Sequence, residues 1–359
     1  AYGIISYETG QAEKTENYLI KGIQKAREEE YLFFPFLDQE TLVKALLLAL
    51  SHASAHKDRS YILKLISRCT PERVNASVIR LVDQQPEQNR GAAIEHFRPC
   101  YKAMLPKLSI ETLGQFRIFL GDQAIDPKAF EGGKPVQLLK AIILHGGQEV
   151  PREILIDDLW PESNAKAGEK NFKINLHRLR KAIEPSPIQN FGYSYILQKA
   201  GTVSLDPDLV RIDVDAFLQA YRQGAVLEQE RQIQAALSAY SQACGIYKGD
   251  YFANDPYIDS ISHKRDLFRN RYLDILSRKA FLHEEADQSE QAIDTWYKAL
   301  DADPCFEDAY QNLMILFADL GRKDKAVRLF DTCRMQLEKE LGTAPDARTI
   351  DILKDIQNR

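Results

Sequence analysis

The C-terminal part of the chain repeats a pattern of small and aromatic residues. Ala292-x3-Trp296-x2-Ala299 recurs as Ala326-x3-Phe330-x2-Cys333, and the interval from Ala292 to Ala326 is 34 residues. Small residues let two antiparallel helices approach closely, while the aromatic residue fills the groove between them. The repeat therefore predicts that this region folds into stacked helix pairs, in which the apolar face of each pair is buried against the next pair.

The same spacing occurs earlier, in Ala236-x3-Tyr240-x2-Ala243. A period of 34 residues is typical of tetratricopeptide repeats, and Leu320-Gly321 marks the tight turn within one helix pair. We expect a TPR-like α-α superhelix over residues 207–359. The repeats also suggest a surface for a peptide, protein or small-molecule effector, since concave repeat surfaces commonly bind such partners.

The length of 359 residues indicates three domains, because one hydrophobic core rarely extends beyond about 250–300 residues. Residues 1–104 show helical periodicity, as in Gln39–Ala53, where Leu42, Ala45, Leu46, Ala49 and Leu50 fall on one stripe. They form the predicted N-terminal helical repeat segment. The expected fold class is mainly α, with a small β-sheet and a hairpin in the middle domain.

The middle domain, residues 105–206, has the element order of a winged helix-turn-helix. Two alternating segments, Leu108–Gly114 and Gln115–Asp122, predict short strands. Three helices and a hairpin follow. Their predicted ranges are Pro135–His145, Pro151–Trp160 and Ala165–Ile183 for the helices, then Tyr193–Leu197 and Thr202–Leu205 for the hairpin strands.

The third of these helices is basic on one face. At about 100° per residue, the apolar residues cluster on the side expected to be buried; they are Phe172, Leu176, Leu179 and Ile183. The opposite arc holds Lys170, Ile174, His177, Arg178 and Lys181, with Lys173 on its flank. Arg180 lies nearer the buried side. An exposed basic face is what contact with DNA phosphates and base edges requires.

A solvated basic face without a specific role is the alternative, since such faces are common on helices. The net charge of −5 excludes a protein that coats nucleic acid through a general positive field, so DNA binding has to be local. The helix is the third in its domain and precedes a hairpin with Lys199 at its tip, which favours double-stranded DNA as the partner. The predicted DNA contacts are Lys166, Lys170, Asn171, Lys173, Ile174, His177, Arg178, Lys181 and Lys199. Ile174 suits a thymine methyl group.

Several segments resemble a known family of regulators. Asn171–Ile183 is similar to the recognition helix of OmpR-type winged-helix proteins. Leu108–Leu120, Gly132–Leu139 and Leu155–Trp160 resemble the start of antibiotic-pathway regulators, which join such a winged helix to a bacterial transcriptional activator domain (BTAD). Two further segments resemble the activator domain itself, namely Ile212–Phe217 and Leu337–Gly342 followed by Pro345-Asp346. The resemblance covers residues 108–359.

This resemblance implies a transcription activator that binds direct promoter repeats and contacts RNA polymerase. One departure concerns the hairpin, where Phe191–Tyr195 lacks the arginine often found before the Gly-Tyr of the wing. Residues 1–104, with Leu32–Leu37, are similar to the helices that follow a STAND-class ATPase module in larger regulators. An alternative is a helical-repeat interaction or signal-sensing module whose winged helix binds protein instead of DNA.

Other motifs predict no enzyme, cofactor or metal site. Gly132-Gly-Lys134 lacks the spacing of a phosphate-binding loop, and no GxSxG motif occurs. His52-x3-His56 has no cysteine or acidic partner nearby. The cysteines are widely spaced and the longest apolar run is far below the roughly 20 residues of a membrane span. We therefore expect a reduced cytoplasmic protein without a membrane segment.

Overall fold

The computed structural model divides into two compact units. It describes residues 12–31, 38–51, 58–66, 68–69, 71–83, 90–91, 93–95, 97, 102, 105–184, 193–255 and 259–358. The first unit comprises residues 1–108 and 125–209, and the second comprises residues 109–124 and 210–359. The predicted division into three domains follows different boundaries and stays a prediction.

The N-terminal part of the first unit is helical where it is described. Its helices are α1 (Ala12–Glu28), α2 (Gln39–Ser51), α3 (Arg59–Ile66) and α4 (Pro71–Asp83). The predicted apolar stripe of α2 is too narrow, because Val43 and Leu47 are fully buried while Leu42 and Ala45 are only half-buried. A helix with apolar residues on most of its sides is buried on most of its sides. The segment Leu32–Leu37 and the pair His52 and His56 lie outside the described residues.

The remainder of the first unit is winged-helix-like. A 3-10 helix, Pro127–Phe130, precedes three α-helices, which are α5 (Gly133–Leu144), α6 (Arg152–Leu159) and α7 (Ala165–Ile183). Three short strands form one sheet in the order β4-β6-β5. Their bounds are β4 (Val150–Pro151), β5 (Ile196–Lys199) and β6 (Thr202–Leu205). The fold predicted from the order of helices and hairpin is confirmed.

The wing is the antiparallel hairpin β5–β6, in which Lys199 pairs with Thr202. Its two-residue turn has positive φ at both positions, 40° at Ala200 and 90° at Gly201. This is the backbone of a type I′ turn, whose twist matches that of the flanking strands. The first hairpin strand begins at Ile196, three residues later than its predicted start at Tyr193.

The second unit begins with the small leading sheet. Its strands β1 (Leu108–Glu111), β2 (Arg117–Leu120), β3 (Gln123–Ala124) and β7 (Val210–Ile212) lie in the order β3-β2-β1-β7. The Asp213 carboxylate accepts hydrogen bonds from Thr112 N at 2.7 Å and from Leu113 N at 2.8 Å. These bonds and the pairing with β7 explain why residues 109–124 group with the C-terminal helices.

Helix pairs follow β7 along the chain. They are α8–α9 (Asp213–Gln229 and Ile233–Ile246), α10–α11 (Asp259–Glu285 and Ser289–Ala302) and α12–α13 (Glu307–Asp319 and Lys323–Leu341), with α14 (Ala347–Asn358) last. Ala292, Trp296, Ala299, Ala326 and Cys333 are fully buried in the core of this unit. The predicted TPR-like packing is confirmed. No helix among the described residues is long and apolar enough to cross a membrane.

Candidate nucleic-acid interface

Helix α7 starts and ends where the sequence predicts. Asn164 caps its N-terminus, and the side-chain oxygen of Asn164 accepts a hydrogen bond from Ala167 N at 3.0 Å. Such a cap satisfies one of the backbone N–H groups that the first helical turn leaves without a partner. The cap fixes the point at which the chain leaves the turn after α6 and enters α7.

One face of α7 is buried within the first unit. Phe172, Leu176, Leu179 and Ile183 are all at most 3% exposed, as the helical wheel predicts. Helix α6 crosses close to α7 at Gly168, where an added Cβ would lie 2.6 Å from Ile156 Cγ2. A glycine at this position therefore permits the short distance between the two helices. The packing turns the opposite face of α7 to solvent.

The exposed face carries the predicted basic arc. Side-chain exposure is 71% for Lys173, 44% for Arg178 and 66% for Lys181. Ile174 is 40% exposed, so it is an apolar side chain that faces water between charged neighbours. Lys166, Lys170 and His177 are exposed as well. The arc extends along the full length of the helix.

Two shallow depressions bring most of these residues together. The first is lined by Lys166, Lys170, Lys173 and Ile174 together with Ala165 and Glu169. The second is lined by Lys173, Ile174, His177, Arg178 and Lys181 together with Glu131. Neither includes Asn171, which is half-buried and whose backbone oxygen accepts a hydrogen bond from Asn175 Nδ2 at 2.8 Å. Lys199 is exposed on the wing, outside both depressions.

Two carboxylates lie next to the arc, of which the sequence identifies Glu169, the one acid between residues 166 and 181, but not Glu131. Glu169 Oε1 lies 3.0 Å from Arg152 Nε, and its other oxygen lies 3.9 Å from Lys173 Nζ. Glu131 Oε1 lies 2.7 Å from Lys181 Nζ, and its other oxygen lies 3.8 Å from Arg178 Nε. The hydrogen bond and charge of Lys181 lower the pKa of Glu131, with smaller contributions from Arg178 and His177. Helical spacing accounts for the pair of Glu169 and Lys173, which are four residues apart, whereas it carries no signal for Glu131, which lies 50 residues from Lys181.

Arg180 does not belong to the exposed arc. Its Nη2 donates a hydrogen bond to Ile196 O at 2.6 Å, which attaches the end of α7 to the first strand of the wing. The buried Glu184 accepts hydrogen bonds from Ser194 Oγ and Tyr195 N at the same junction. The structure thus places Arg180 in a contact within its own unit, as the helical wheel indicates.

The second unit contains a separate surface groove. It is lined by Glu228, Gln229, Arg231, Ile233, Arg278, Phe281, Leu282 and Glu285. Phe281 is 49% exposed there. Arg278 is engaged with two carboxylates, Glu228 at 3.0 Å and Asp274 at 3.1 Å. Among the described residues, no group of three or more histidine, cysteine, aspartate or glutamate side chains could hold a metal ion.

Comparison with known proteins gives a family match over part of the chain and a structural match with a TM-score above 0.5. Residues 212–357 match the model of the bacterial transcriptional activator domain. The structure of EmbR from Mycobacterium tuberculosis, in complex with a low-affinity phosphopeptide, aligns with 70% of this chain at 14% identity and a TM-score of 0.57. The alignment covers 65% of the EmbR chain, less than two thirds of its length. At this identity the match shows a shared fold.

Other solved structures superpose weakly. MamA aligns with 60% of this chain and 92% of its own at 14% identity, with a TM-score of 0.27. The TPR2AB domain of yeast Sti1, in a complex with pHSP90, aligns with 100% of this chain and 96% of its own at 11% identity, with a TM-score of 0.29. No curated protein sequence matches the chain.

Proposed function

We propose that the chain is a transcriptional regulator of the kind that carries a bacterial transcriptional activator domain, whose family model residues 212–357 match, and that it binds double-stranded DNA through α7 and activates transcription. The observation that carries the proposal is the exposed arc of α7. Its cationic side chains and Ile174 share one face of a helix whose other face is buried.

The geometry of the arc suits the major groove of DNA. A helix with side chains is about 10–12 Å across, and the groove is about 12 Å wide. Between residues 166 and 181 there are six lysines and arginines and one acid, whereas the whole chain has a net charge of −5. A local positive surface on a negative protein supports binding at one orientation instead of general coating of DNA.

The residues of the arc differ in what they offer to DNA. Arg178 can donate two hydrogen bonds to guanine O6 and N7, and Ile174 can contact a thymine methyl group. Lys166, Lys170, Lys173 and Lys181 are suited to phosphates, which position the helix without reading sequence. We assign Asn171, His177 and the wing residue Lys199 to the edge of the same interface. These roles follow from chemistry and exposure.

Removal of two charges from the arc tests the proposal. We expect Lys173→Ala combined with Arg178→Ala to weaken binding to a duplex selected from genomic DNA by the full chain. Since each phosphate contact contributes about 0.9 to the dependence of log K on log salt and Lys173 is the phosphate contact of the two, the slope should become shallower by about 1. Fluorescence anisotropy at several salt concentrations measures both quantities.

The matched control is Lys298→Ala combined with Arg328→Ala. These two side chains are exposed on the helical repeats and carry the same total charge. We expect this variant to retain the affinity and the salt slope of the wild type. If the variant of the arc bound the duplex as well as the wild type does, the assigned face of α7 would be wrong.

We further propose that the regulator occupies direct promoter repeats and contacts RNA polymerase. Support comes from the family resemblance and from the activator-domain match at residues 212–357. A transcription assay with purified polymerase and a selected promoter addresses this directly, because activation should require both an intact α7 and an intact helical-repeat unit.

A second candidate function is a protein-interaction module whose winged helix binds protein. The groove with the exposed Phe281 favours it, since repeat surfaces with accessible aromatic side chains commonly accept a peptide, protein or small-molecule effector. A titration against random genomic fragments separates the two candidates. Absence of salt-sensitive binding at low salt would support the interaction module.

A further inference from the structure

Glu131 is a carboxylate beside the C-terminal end of the basic arc of α7. It follows the 3-10 helix Pro127–Phe130 and precedes α5, and its backbone is left-handed with φ of 51°. Glycine adopts this conformation more readily than glutamate, so the backbone does not favour a glutamate here. The side chain is 49% exposed and contacts the two cations at the C-terminal end of the arc, Arg178 and Lys181.

The ion pairs of Glu131 offer little stability. Glu131 and its two partners, Arg178 and Lys181, are all exposed, and ion pairs between exposed side chains contribute little to folding. Their effect on DNA binding is larger, because Glu131 competes with DNA for Lys181, which donates a hydrogen bond to it at 2.7 Å, and for the charge of Arg178 at 3.8 Å. The exchange then leaves a negative charge facing DNA.

DNA offers few partners to such a carboxylate. Phosphate oxygens repel it, and in the major groove the hydrogen-bond donors are the amino groups of cytosine N4 and adenine N6. A site with an amino group in reach satisfies the carboxylate, and any other site leaves it unpaired next to phosphates.

We propose that Glu131 is a specificity-determining residue, which holds Arg178 and Lys181 in the free protein and selects DNA that presents a base amino group in exchange. This inference rests on the proposed function of α7. It adds a repulsive element to the interface. The charge of Glu131 weakens binding to most DNA sequences, and at the correct site a hydrogen bond from a base amino group offsets this repulsion.

Glu131→Gln tests the inference in the full chain. The amide keeps the size of the side chain and removes its charge. We expect the variant to bind a random-sequence duplex about three- to ten-fold more tightly, with a salt slope steeper by about 1. Its affinity for the duplex selected by the wild type should rise less, so the ratio of specific to random binding falls. Repeated selection with the variant should lose a preference for cytosine or adenine at one position.

Asp157→Asn is the matched control, because Asp157 is an exposed carboxylate on α6 and its change alters the net charge equally. An unchanged ratio in the Glu131 variant, or an equal gain in the Asp157 variant, would overturn the inference. Failure of the proposed function looks different. In that case the wild type itself shows no salt-sensitive binding to any duplex.

Discussion

At the scale of residues, two helix pairs of the C-terminal unit, α8–α9 and α10–α11, each contain an acid that accepts a hydrogen bond from their buried aromatic residue. Glu228 accepts a hydrogen bond from Tyr240 Oη at 2.6 Å, and Glu284 accepts one from Trp296 Nε1 at 3.1 Å. Both acids precede the aromatic residue by 12 positions. In the third pair the same positions hold Ala318 and Phe330, which have no polar atom to satisfy.

This correspondence predicts a conditional effect of Glu284→Ala. In the wild type the change leaves the fully buried Trp296 without an acceptor for its N–H group, which should cost about 1–3 kcal/mol of unfolding free energy. In a Trp296→Phe background the same change should cost little, since phenylalanine has no donor. Urea unfolding followed by circular dichroism gives the four values of the cycle. Equal costs in both backgrounds would contradict the assigned bond.

At the scale of elements, the turns within the helix pairs share one backbone conformation. Arg231, Asp287 and Gly321 are left-handed, with φ of 58°, 57° and 71°. The next residue in each turn donates its N–H group to a carbonyl five positions earlier, as in Gln288 N to His283 O at 2.8 Å. This is the Schellman cap, which usually selects glycine. The expected glycine at 321 is in place, whereas nothing in the local sequence predicts the same turn at Arg231 or Asp287.

The contact between α8 and α9 predicts opposite effects for two glycine substitutions. An added Cβ at Gly224 would lie 2.4 Å from Tyr240 Cε1, a ring that is fully buried. We expect Gly224→Ala to destabilise the chain by about 1–3 kcal/mol, because overpacking exceeds the gain in helix propensity. At Gly245 on α9 an added Cβ has no atom within 4 Å, so Gly245→Ala should raise the free energy of unfolding by about 0.5–1 kcal/mol. Thermal unfolding of both variants measures this difference, and a stable Gly224 variant would disprove the close approach.

The buried face and the two ends of α7 could be predicted from the local sequence. The 3.6-residue period identifies the buried face of α7, and Asn164 and Pro185 flank its two ends. The placement of Glu131 does not follow, because its partner Lys181 is 50 residues away in sequence. The grouping of residues 109–124 with the C-terminal helices depends in the same way on Asp213, about 100 residues further along the chain.

At the scale of the whole molecule, charge is distributed unevenly. The chain carries 52 acidic and 47 basic residues, so its overall field does not attract DNA. The basic arc of α7 lies in the first compact unit, and residues 212–357 of the activator domain lie in the second. On the proposed function, DNA binding depends on a few local contacts, so the affinity for DNA should be sensitive to single changes in α7 and to salt.

Selection of bound fragments from genomic DNA by the full chain tests the central claim most directly, because the selection itself identifies the bound sequence. We predict enrichment of fragments that share a short motif, present in two copies whose centres are separated by about one helical turn of 10–10.5 base pairs or a multiple of it. The Lys173→Ala, Arg178→Ala variant should lose this enrichment. Recovery of fragments in the same proportions as the input, even at low salt, would contradict sequence-specific DNA binding by α7.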